Sequence, residues 1–360
     1  MEQDRPPEKH DPAPAPHKRR VRYGGTHPRK FDQRYKELAP DKYPQMQEHI
    51  RAQGRTPAGS HVPIMVQEVL EHLGPQAGDR VADCTLGHGG HAEAFIQRIA
   101  PGGKLVGLDI DGGELERTRE RLLETAAGVE IVTVRSNFAG LGKVMADLKI
   151  DGFNVVFADL GVSSMQLDDP TRGFSYKHDG PLDMRMDDRK AATAADLLER
   201  MTHAELDAAL LEFADEEDHA AIASAIVEHR RRGRLRRTEH LVELVLAAKG
   251  LDARTWRRRV PAGSLHPAAR TFQALRILVN DELGSLKQLL RVLPYCLAEG
   301  GRAGILTFHS GEDRLVKKSF RDGVDAGLYS ATNDDVIRPS RTEIHDNPRS
   351  SGAKLRFVVR

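Results

Sequence analysis

The sequence predicts an α/β protein in which a doubly wound, mainly parallel sheet is interrupted by a helical insertion. Strand and helix signals alternate from residue 80 to residue 159, which is typical of parallel strands joined by crossover helices. Between about residues 166 and 272 only loop and helix patterns occur, and strand signal returns at 301–308. The predicted parts are an N-terminal extension (1–60), a first sheet segment (61–165), the insertion (166–272) and a second sheet segment (273–360).

Composition predicts a globular chain without a membrane segment. The 360 residues are 39% hydrophobic and 30% charged, and no apolar run approaches the roughly 20 residues that span a bilayer. The polar, proline-rich start does not resemble a secretory signal. Cys84 and Cys296 have neither a disulfide framework nor metal spacing, so we expect a reducing, cytoplasmic location.

Each element follows from a local apolar pattern. Val62–Leu73 has helical spacing, with Pro63 tolerated in the first turn and Gly74 after the last. Strands are expected at Arg80–Cys84, Lys104–Asp109, Glu130–Val134, Phe153–Asp159, Gly301–Phe308 and Lys354–Val359. Further helices are expected at Ala92–Ile99, Glu114–Thr125, Leu141–Leu148 and Asp281–Leu297, and within the insertion at Ala194–Glu199, Ala204–Phe213, Ala220–Arg230 and Glu239–Lys249.

A glycine-rich loop, Asp83–His91, ends the first strand. Its three glycines allow the backbone to approach a ligand closely at the carboxyl edge of the sheet. The second strand ends in Asp109-Ile-Asp111, where a carboxylate either accepts hydrogen bonds from ribose hydroxyls or caps the next helix. With two acids present, we assign one to each role. Phe138, after the third strand, either contacts an adenine or belongs to the core.

These features indicate a nucleoside ligand without phosphates. A dinucleotide site has the pattern G-x-G-x-x-G, which places a pyrophosphate on a helix N-terminus. Here the loop is G-x-G-G-H, and the chain has no G-x-x-x-x-G-K-[ST] phosphate loop. S-adenosylmethionine is a nucleoside of the required kind, and we expect it as the cofactor. His88 and His91 have no third ligand at metal spacing, so no metal is expected.

The fourth strand ends at Asp159, followed by Ser163 and Ser164, where a methyl group would be transferred. An exocyclic amine needs oxygen acceptors that localise its lone pair and take its proton, and these residues suit that role. The target base must leave its stack, and its nitrogen must lie about 3 Å from the methyl carbon. His309 follows the fifth strand and is either a proton shuttle or a hydrogen-bonded structural histidine.

Together these segments resemble the RsmH/MraW family of bacterial 16S rRNA cytosine-N4 methyltransferases. The resemblance covers about residues 61–360. The matching stretches are 61–63, 83–91, 159–168, 172–175, 179–186, 266–277, 279–283, 308–310 and 312–314. It implies a Rossmann-like class I methyltransferase sheet, methylation of N4 of a cytidine in the decoding region of small-subunit rRNA, and RNA binding by the insertion. It also implies cofactor contacts from Gly89, Gly90, His91, Asp109, Phe138, Asp159 and Gln166.

Some positions depart from the family pattern. They are Met165, Gly311, Ser351 and Gly352. None is an expected cofactor contact, so these departures concern the substrate rather than the reaction class. The extension before His61 is not expected as a family feature.

Two basic runs, His229–Arg237 and Arg254–Arg259, lie in the insertion. Arginines offer paired donors to phosphate oxygens, although such runs also occur on solvated helix faces. The expected partner is small-subunit rRNA, free or in an assembled 30S particle. The expected contacts are Arg230, Arg231, Arg232, Arg257, Arg258 and Arg259. The extension 1–60, rich in proline and charge, is expected to be disordered and either adds RNA affinity or is inert.

Two other functions remain open on the sequence. A nicotinamide-dependent oxidoreductase shares the sheet and the acid after the second strand but requires the dinucleotide glycine pattern. A non-catalytic rRNA-binding protein explains the arginines but not the strand ends. A comparison of S-adenosylmethionine binding with NAD binding tests the oxidoreductase alternative. Transfer of a labelled methyl group tests the non-catalytic alternative.

Overall fold

The computed structural model describes residues 63–252, 254–261 and 264–360. The extension 1–60 lies outside this range. Within it, a seven-stranded sheet has the order β3-β2-β1-β4-β5-β7-β6. The first five strands are parallel, and the last two pair antiparallel at one edge. The strands are β1 Arg80–Asp83, β2 Lys104–Asp109, β3 Glu130–Arg135, β4 Phe153–Asp159, β5 Leu297–Thr307, β6 Ala331–Thr332 and β7 Lys354–Val359.

Helices cover both faces of this sheet. In chain order, the α-helices of the described residues are α1 Val66–Leu73, α2 Gly90–Ile99, α3 Gly112–Glu124, α4 Leu141–Asp147, α5 Ser164–Asp168, α6 Ala194–Arg200, α7 His203–Ala214, α8 His219–Arg230, α9 Thr238–Ala248, α10 Trp256–Arg259, α11 Ala269–Asn280, α12 Glu282–Cys296, α13 Ser310–Asp325 and α14 Arg341–Asp346. No helix of the described residues combines the length and apolar character needed to cross a bilayer.

Side chains of β4 show why both faces of the sheet are covered. Val155 and Phe157 pack with α1 and α2, whereas Val156 and Ala158 pack with α12 and α13 on the opposite face. Alternate residues of a strand point to opposite sides, so an uninterrupted apolar strand is buried on both. The doubly wound α/β class predicted from the sequence is confirmed.

The helical insertion has its own apolar cluster. It joins α6 to α9 with α11 and includes Leu198, Ile226 and Val245. The cluster also contains Leu275 and Val279, beyond residue 272, where we placed the end of the insertion. One continuous helix, α11, carries both sides of that boundary, so its second half packs with the insertion rather than with the sheet.

The structure adds elements that the sequence did not predict. The long helix α13, the short strand β6 and the helix α14 lie between β5 and β7. β5 also starts earlier than the expected Gly301, because Leu297 pairs with Phe153 ahead of a register shift. The helix α13 buries Val316 and Phe320 against the sheet at helical spacing, so its apolar pattern was present in the sequence and was not used in the prediction.

Candidate active site

A cavity of about 700 Å³ opens at the carboxyl ends of the parallel strands. The loops that follow β1, β2, β3 and β4 form its walls. Of the expected catalytic and cofactor-binding residues, those in the lining are Gly90, His91, Asp109, Phe138, Asp159, Ser163 and Gln166. Parallel strands end at the same edge, and the ligand sites of open α/β sheets lie there.

The glycine loop after β1 is shaped by close contacts that exclude side chains. Gly89 has φ 70°, and a Cβ on it would lie 2.8 Å from Cγ2 of Thr118. A Cβ on Gly90 would lie 2.8 Å from the ring of Pro63. Gly89 does not line the cavity, but it sets the path of the backbone below the cavity wall. Packing therefore requires glycine at both positions, and the positive φ favours glycine at Gly89 as well.

Two acids after β2 have different roles in the structure. Oδ1 of Asp111 accepts from the backbone N–H of Glu114 (3.3 Å) and caps α3. Asp109 instead faces the glycine loop, and its Oδ2 accepts from the N–H of Gly87 (2.7 Å). Burial raises the pKa of Asp109, although hydrogen bonds from the backbone of Asp111 and Gly87 oppose that effect. Asp109 remains the carboxylate available to the cavity, with further lone pairs for two hydroxyls.

Arg172, which the sequence reading quoted only within a matching stretch, connects the insertion to the site. Its Nη1 donates to Oδ2 of Asp111 (3.0 Å), and its Nη2 donates to the carbonyls of Arg185 (3.1 Å) and Met186 (3.2 Å). The guanidinium thus holds the segment after α5 against the start of α3. Nothing local in the sequence indicates this partner, which lies 61 positions away along the chain.

Asp159 lies at the tip of β4, and its side chain is 16% exposed. Its backbone N–H donates to Oγ1 of Thr85 (2.7 Å), which fixes the strand end beside the glycine loop. Nδ1 of His91 lies 3.9 Å from Oδ2, while Nε2 of that histidine is 2.9 Å from the carbonyl of Ile64. Oδ1 of Asp159 is buried and has no hydrogen-bond partner among the described residues. A buried acceptor of this kind is costly unless a ligand supplies a donor.

Buried acids surround Asp159. Burial, followed by the charges of Asp83 and Glu312, raises the pKa of Asp159 to about 8. Burial likewise raises the pKa of Asp83 to about 7, with a smaller increase from Asp109. Several carboxylates in one low-dielectric region disfavour ionisation, and a cation in the cavity would restore it. The electrostatics therefore suit a positively charged ligand.

Ser163 and Gln166 form a capping box at the start of α5. Oγ of Ser163 accepts from the N–H of Gln166 (3.2 Å), and Oε1 of Gln166 accepts from the N–H of Ser163 (3.0 Å). Both line the cavity, so the motif shapes the wall beside Asp159. Ser164 lies in the first turn of α5, and its side chain is outside the described part. Phe138 lines the cavity and also packs against the core, so its two proposed roles are compatible.

His309 lies outside the cavity lining, as the N-cap of α13. Its Nδ1 accepts from the N–H of Glu312 (3.4 Å), and its Nε2 lies 3.2 Å from Oε1 of the same residue. Burial raises the pKa of Glu312, but His309, the charge of Arg276 and a hydrogen bond from the backbone of Phe308 together lower it, and the net shift is downward. His309 thus contacts an acid that in turn acts on Asp159 electrostatically.

Half of the arginines in the first basic run, three of six, are paired with carboxylates. Arg232 pairs with Glu228 (2.9 Å), and Arg234 and Arg237 pair with acids elsewhere in the insertion. Arg231 is exposed, whereas Arg230 is half-buried and its Nε and Nη2 have no hydrogen-bond partner in the described ranges.

The second run is different. Arg257, Arg258 and Arg259 are all exposed on α10. No carboxylate of the described residues pairs with any of them. Unpaired, exposed guanidinium groups are the ones available to phosphates. The described residues also contain no group of three His, Cys, Asp or Glu side chains placed to hold a metal ion.

Comparisons with known proteins place these observations in a family. The model of the MraW methylase family matches residues 58–360. "Ribosomal RNA small subunit methyltransferase H 1" of Lachnoclostridium phytofermentans is 45% identical over 351 residues, covering 96% of this chain and 93% of that protein. A protein of the same name from Agathobacter rectalis is 41% identical, with coverage of 96% and 98%. Among solved structures, fibrillarin of Aeropyrum pernix with bound S-adenosyl-L-methionine has 10% identity, covers 81% of this chain and 74% of its own, and has a TM-score of 0.34.

The family model starts at residue 58 and so leaves out nearly all of the N-terminal extension, whereas some relatives align with part of it. Coverage of 96% extends well into the residues before 61, so the N-terminal extension is shared with these relatives. A relative from Geobacter sulfurreducens, 41% identical, covers only 82% of this chain but 97% of its own length. With the family model and these identities spanning nearly the whole sequence, the chain belongs to the MraW methylase family.

Proposed function

We propose that this chain transfers a methyl group from S-adenosylmethionine to N4 of a cytidine in the decoding region of small-subunit rRNA. The observation that supports this most directly is the mostly buried carboxyl of Asp159, which lines the same cavity as Asp109 and the glycine loop. Membership of a methylase family, with relatives named for small-subunit rRNA, supports the reaction class and the substrate. We place the activity in the cytoplasm.

The cavity fits the cofactor chemically. Asp109 would hold the ribose hydroxyls, Phe138 the adenine, and the backbone of Gly87–His91 the amino acid portion. The buried acids around Asp159 favour the positive charges of the ligand. When bound, the cofactor supplies an electrophilic methyl group on a sulfonium.

Asp159 is the residue we assign to the reacting amine. Its carboxyl lines the cavity and can accept a hydrogen bond from the exocyclic N–H, which concentrates the nitrogen lone pair away from the ring. After the nitrogen gains a methyl group it must lose a proton, and we assign its uptake to the carboxyl of Asp159. A pKa of about 8 is near the operating pH and suits a group that accepts and then releases a proton. Ser163 and Ser164 remain proposed contributors to the wall for the base, and His309 a proposed contributor through Glu312.

RNA binding is assigned to the helical insertion. The exposed Arg257, Arg258 and Arg259 are the strongest candidates for phosphate contacts, ahead of the paired arginines of the first run. The substrate is free rRNA or the assembled 30S particle.

The test uses small-subunit particles, and free rRNA, from cells that lack this protein. Incubation with the chain and methyl-labelled cofactor should place label in N4-methylcytidine at one cytidine, identified by nuclease mapping and mass spectrometry. Asp159→Asn should bind the same RNA but transfer label at least about 100-fold more slowly. RNA binding without label transfer by the unaltered chain would instead support the non-catalytic alternative. Label on a different nucleoside would refute the cytidine assignment.

A further inference from the structure

Three aromatic rings form a row between the arginines of α10 and the cavity. Tyr176 stacks on His266, with centroids 4.6 Å apart and planes at 18°. Trp256 meets the same His266 edge to face, at 4.6 Å and 76°. The three rings therefore touch in sequence, although they come from well-separated segments of the chain.

The two ends of this row have different surroundings. Tyr176 lines the cavity, together with its neighbour Lys177. Trp256 begins α10, whose arginines have no carboxylate partner among the described residues. Leu265, the residue before His266, is 70% exposed. The row thus joins the reaction cavity to a cationic surface that carries an exposed apolar side chain.

Core packing does not account for the outer part of the row. Tyr176 belongs to the rim of the apolar cluster of the insertion, whereas Trp256 and Leu265 are absent from it. The guanidinium of Arg257 lies over the Trp256 ring at 5.4 Å from its centroid. A ring face that already takes a planar cation is also suited to a planar base. Burial, with Arg257 and Lys177, lowers the pKa of His266, so that ring stays neutral.

We propose that Trp256 and Leu265 form a stacking surface for unpaired nucleotides next to the target base. This inference rests on the proposed function and names the form of its substrate: a single strand, because bases within a duplex have no free face for a protein ring. Arg257, Arg258 and Arg259 would contact the phosphates of the same nucleotides. Tyr176, at the inner end, would lie beside the everted base where it enters the cavity. A protein partner at this surface is the competing possibility, and the test below includes it.

The chain contains one tryptophan, so its intrinsic fluorescence reports on Trp256 alone. The full chain is titrated with short single-stranded oligocytidylate, a duplex RNA of equal length, and the separated proteins of the small subunit. Oligocytidylate should quench the emission, and the duplex should do so weakly at equal occupancy, with occupancy measured independently by filter binding. Trp256→Ala should raise the Kd for oligocytidylate by about 5- to 150-fold, whereas Trp256→Phe should largely restore it.

Leu265→Ala provides a second variant that does not risk the fold, because the side chain is mostly exposed. It should raise KM for small-subunit rRNA severalfold without changing kcat or cofactor affinity. Leu211→Ala is the matched control, since Leu211 is another half-exposed leucine of the insertion. It should leave both constants unchanged.

Full RNA occupancy with unchanged Trp256 emission would overturn the proposal. So would equal RNA affinity in Trp256→Ala, or a response to a small-subunit protein rather than to RNA. Because quenching requires no methyl transfer, this test and the label-transfer test of the proposed function can fail separately.

Discussion

Neutralising the exposed arginines of α10 should remove a defined part of the salt dependence of RNA binding. The variant is Arg257→Gln with Arg258→Gln and Arg259→Gln. These three side chains are exposed and have no carboxylate partner among the described residues. Because none is held in an ion pair within the described part of the chain, each can displace a counterion from a phosphate, and this contribution is largest at low salt.

The expected magnitude follows from counting these charges. On a single strand, the logarithm of the association constant changes by about −0.7 per contacted phosphate for each tenfold increase in salt. Loss of three contacts should make the slope shallower by about 2. If the electrostatic part vanishes near 1 M salt, the Kd at 0.1 M should rise by roughly 100-fold. Cofactor affinity should stay the same, because none of the three lines the cavity.

The matched control changes the net charge equally but at arginines that already have partners. It combines Arg232→Gln, Arg234→Gln and Arg237→Gln, whose guanidinium groups pair with Glu228, Asp196 and Asp179. Filter binding of small-subunit rRNA across a salt series gives both slopes, and thermal unfolding checks that each variant folds. The control slope should change by less than about 1. An equal change in both variants would refute the reasoning, since net charge alone would then explain the result.

Three further predictions concern the cavity. Gly89→Ala should weaken cofactor binding at least about tenfold, because the added Cβ meets Thr118. The control Gly78→Ala, at φ 85° with nothing within 4 Å of the added Cβ, should only lower the stability of the fold by about 1 kcal/mol. Calorimetry gives the cofactor affinities and thermal melts give the stabilities, and equal cofactor affinities in the two variants would contradict the crowding argument. Arg172→Gln should raise the cofactor Kd roughly tenfold, because Asp111 loses its partner. The control Arg189→Gln, which breaks an exposed ion pair, should leave this Kd unchanged. Similar cofactor Kd values in the two variants would count against a role of the Arg172–Asp111 contact in cofactor binding. Cofactor affinity should rise with pH up to about 8, because the raised pKa keeps Asp159 protonated below that pH and the cationic cofactor competes with this proton. Calorimetry across a pH series should show a smaller rise in Asp159→Asn. An unchanged pH profile in that variant would refute the assignment.

Much of the fold and the position of the site were predictable from local sequence. The alternating strands and helices, the helices of the insertion and the placement of Asp109 and Asp159 at strand ends are all seen in the structure. Such features depend on periodicity and on turn residues, which act over a few neighbouring positions. The sequence also left two roles open for the acids after β2, and the structure gives the helix cap to Asp111.

Other properties depend on contacts between distant residues. The clamp of Arg172 on Asp111 and the Tyr176–His266 stack join positions with no shared local pattern. The two basic runs look equivalent as sequence, but only that of α10 is without carboxylate partners among the described residues. Residues of α11 beyond position 272 also pack with the insertion, because α11 is one continuous helix.

The sequence by itself determined the order of the elements and which residues stand at the strand ends, because backbone conformation and apolar periodicity are local. Only the tertiary structure decided which charges are neutralised, which acceptor on Asp159 is left without a donor, and which rings meet. Burial and pairing depend on how far-separated segments pack, so their energies cannot be assigned until the fold brings those segments together.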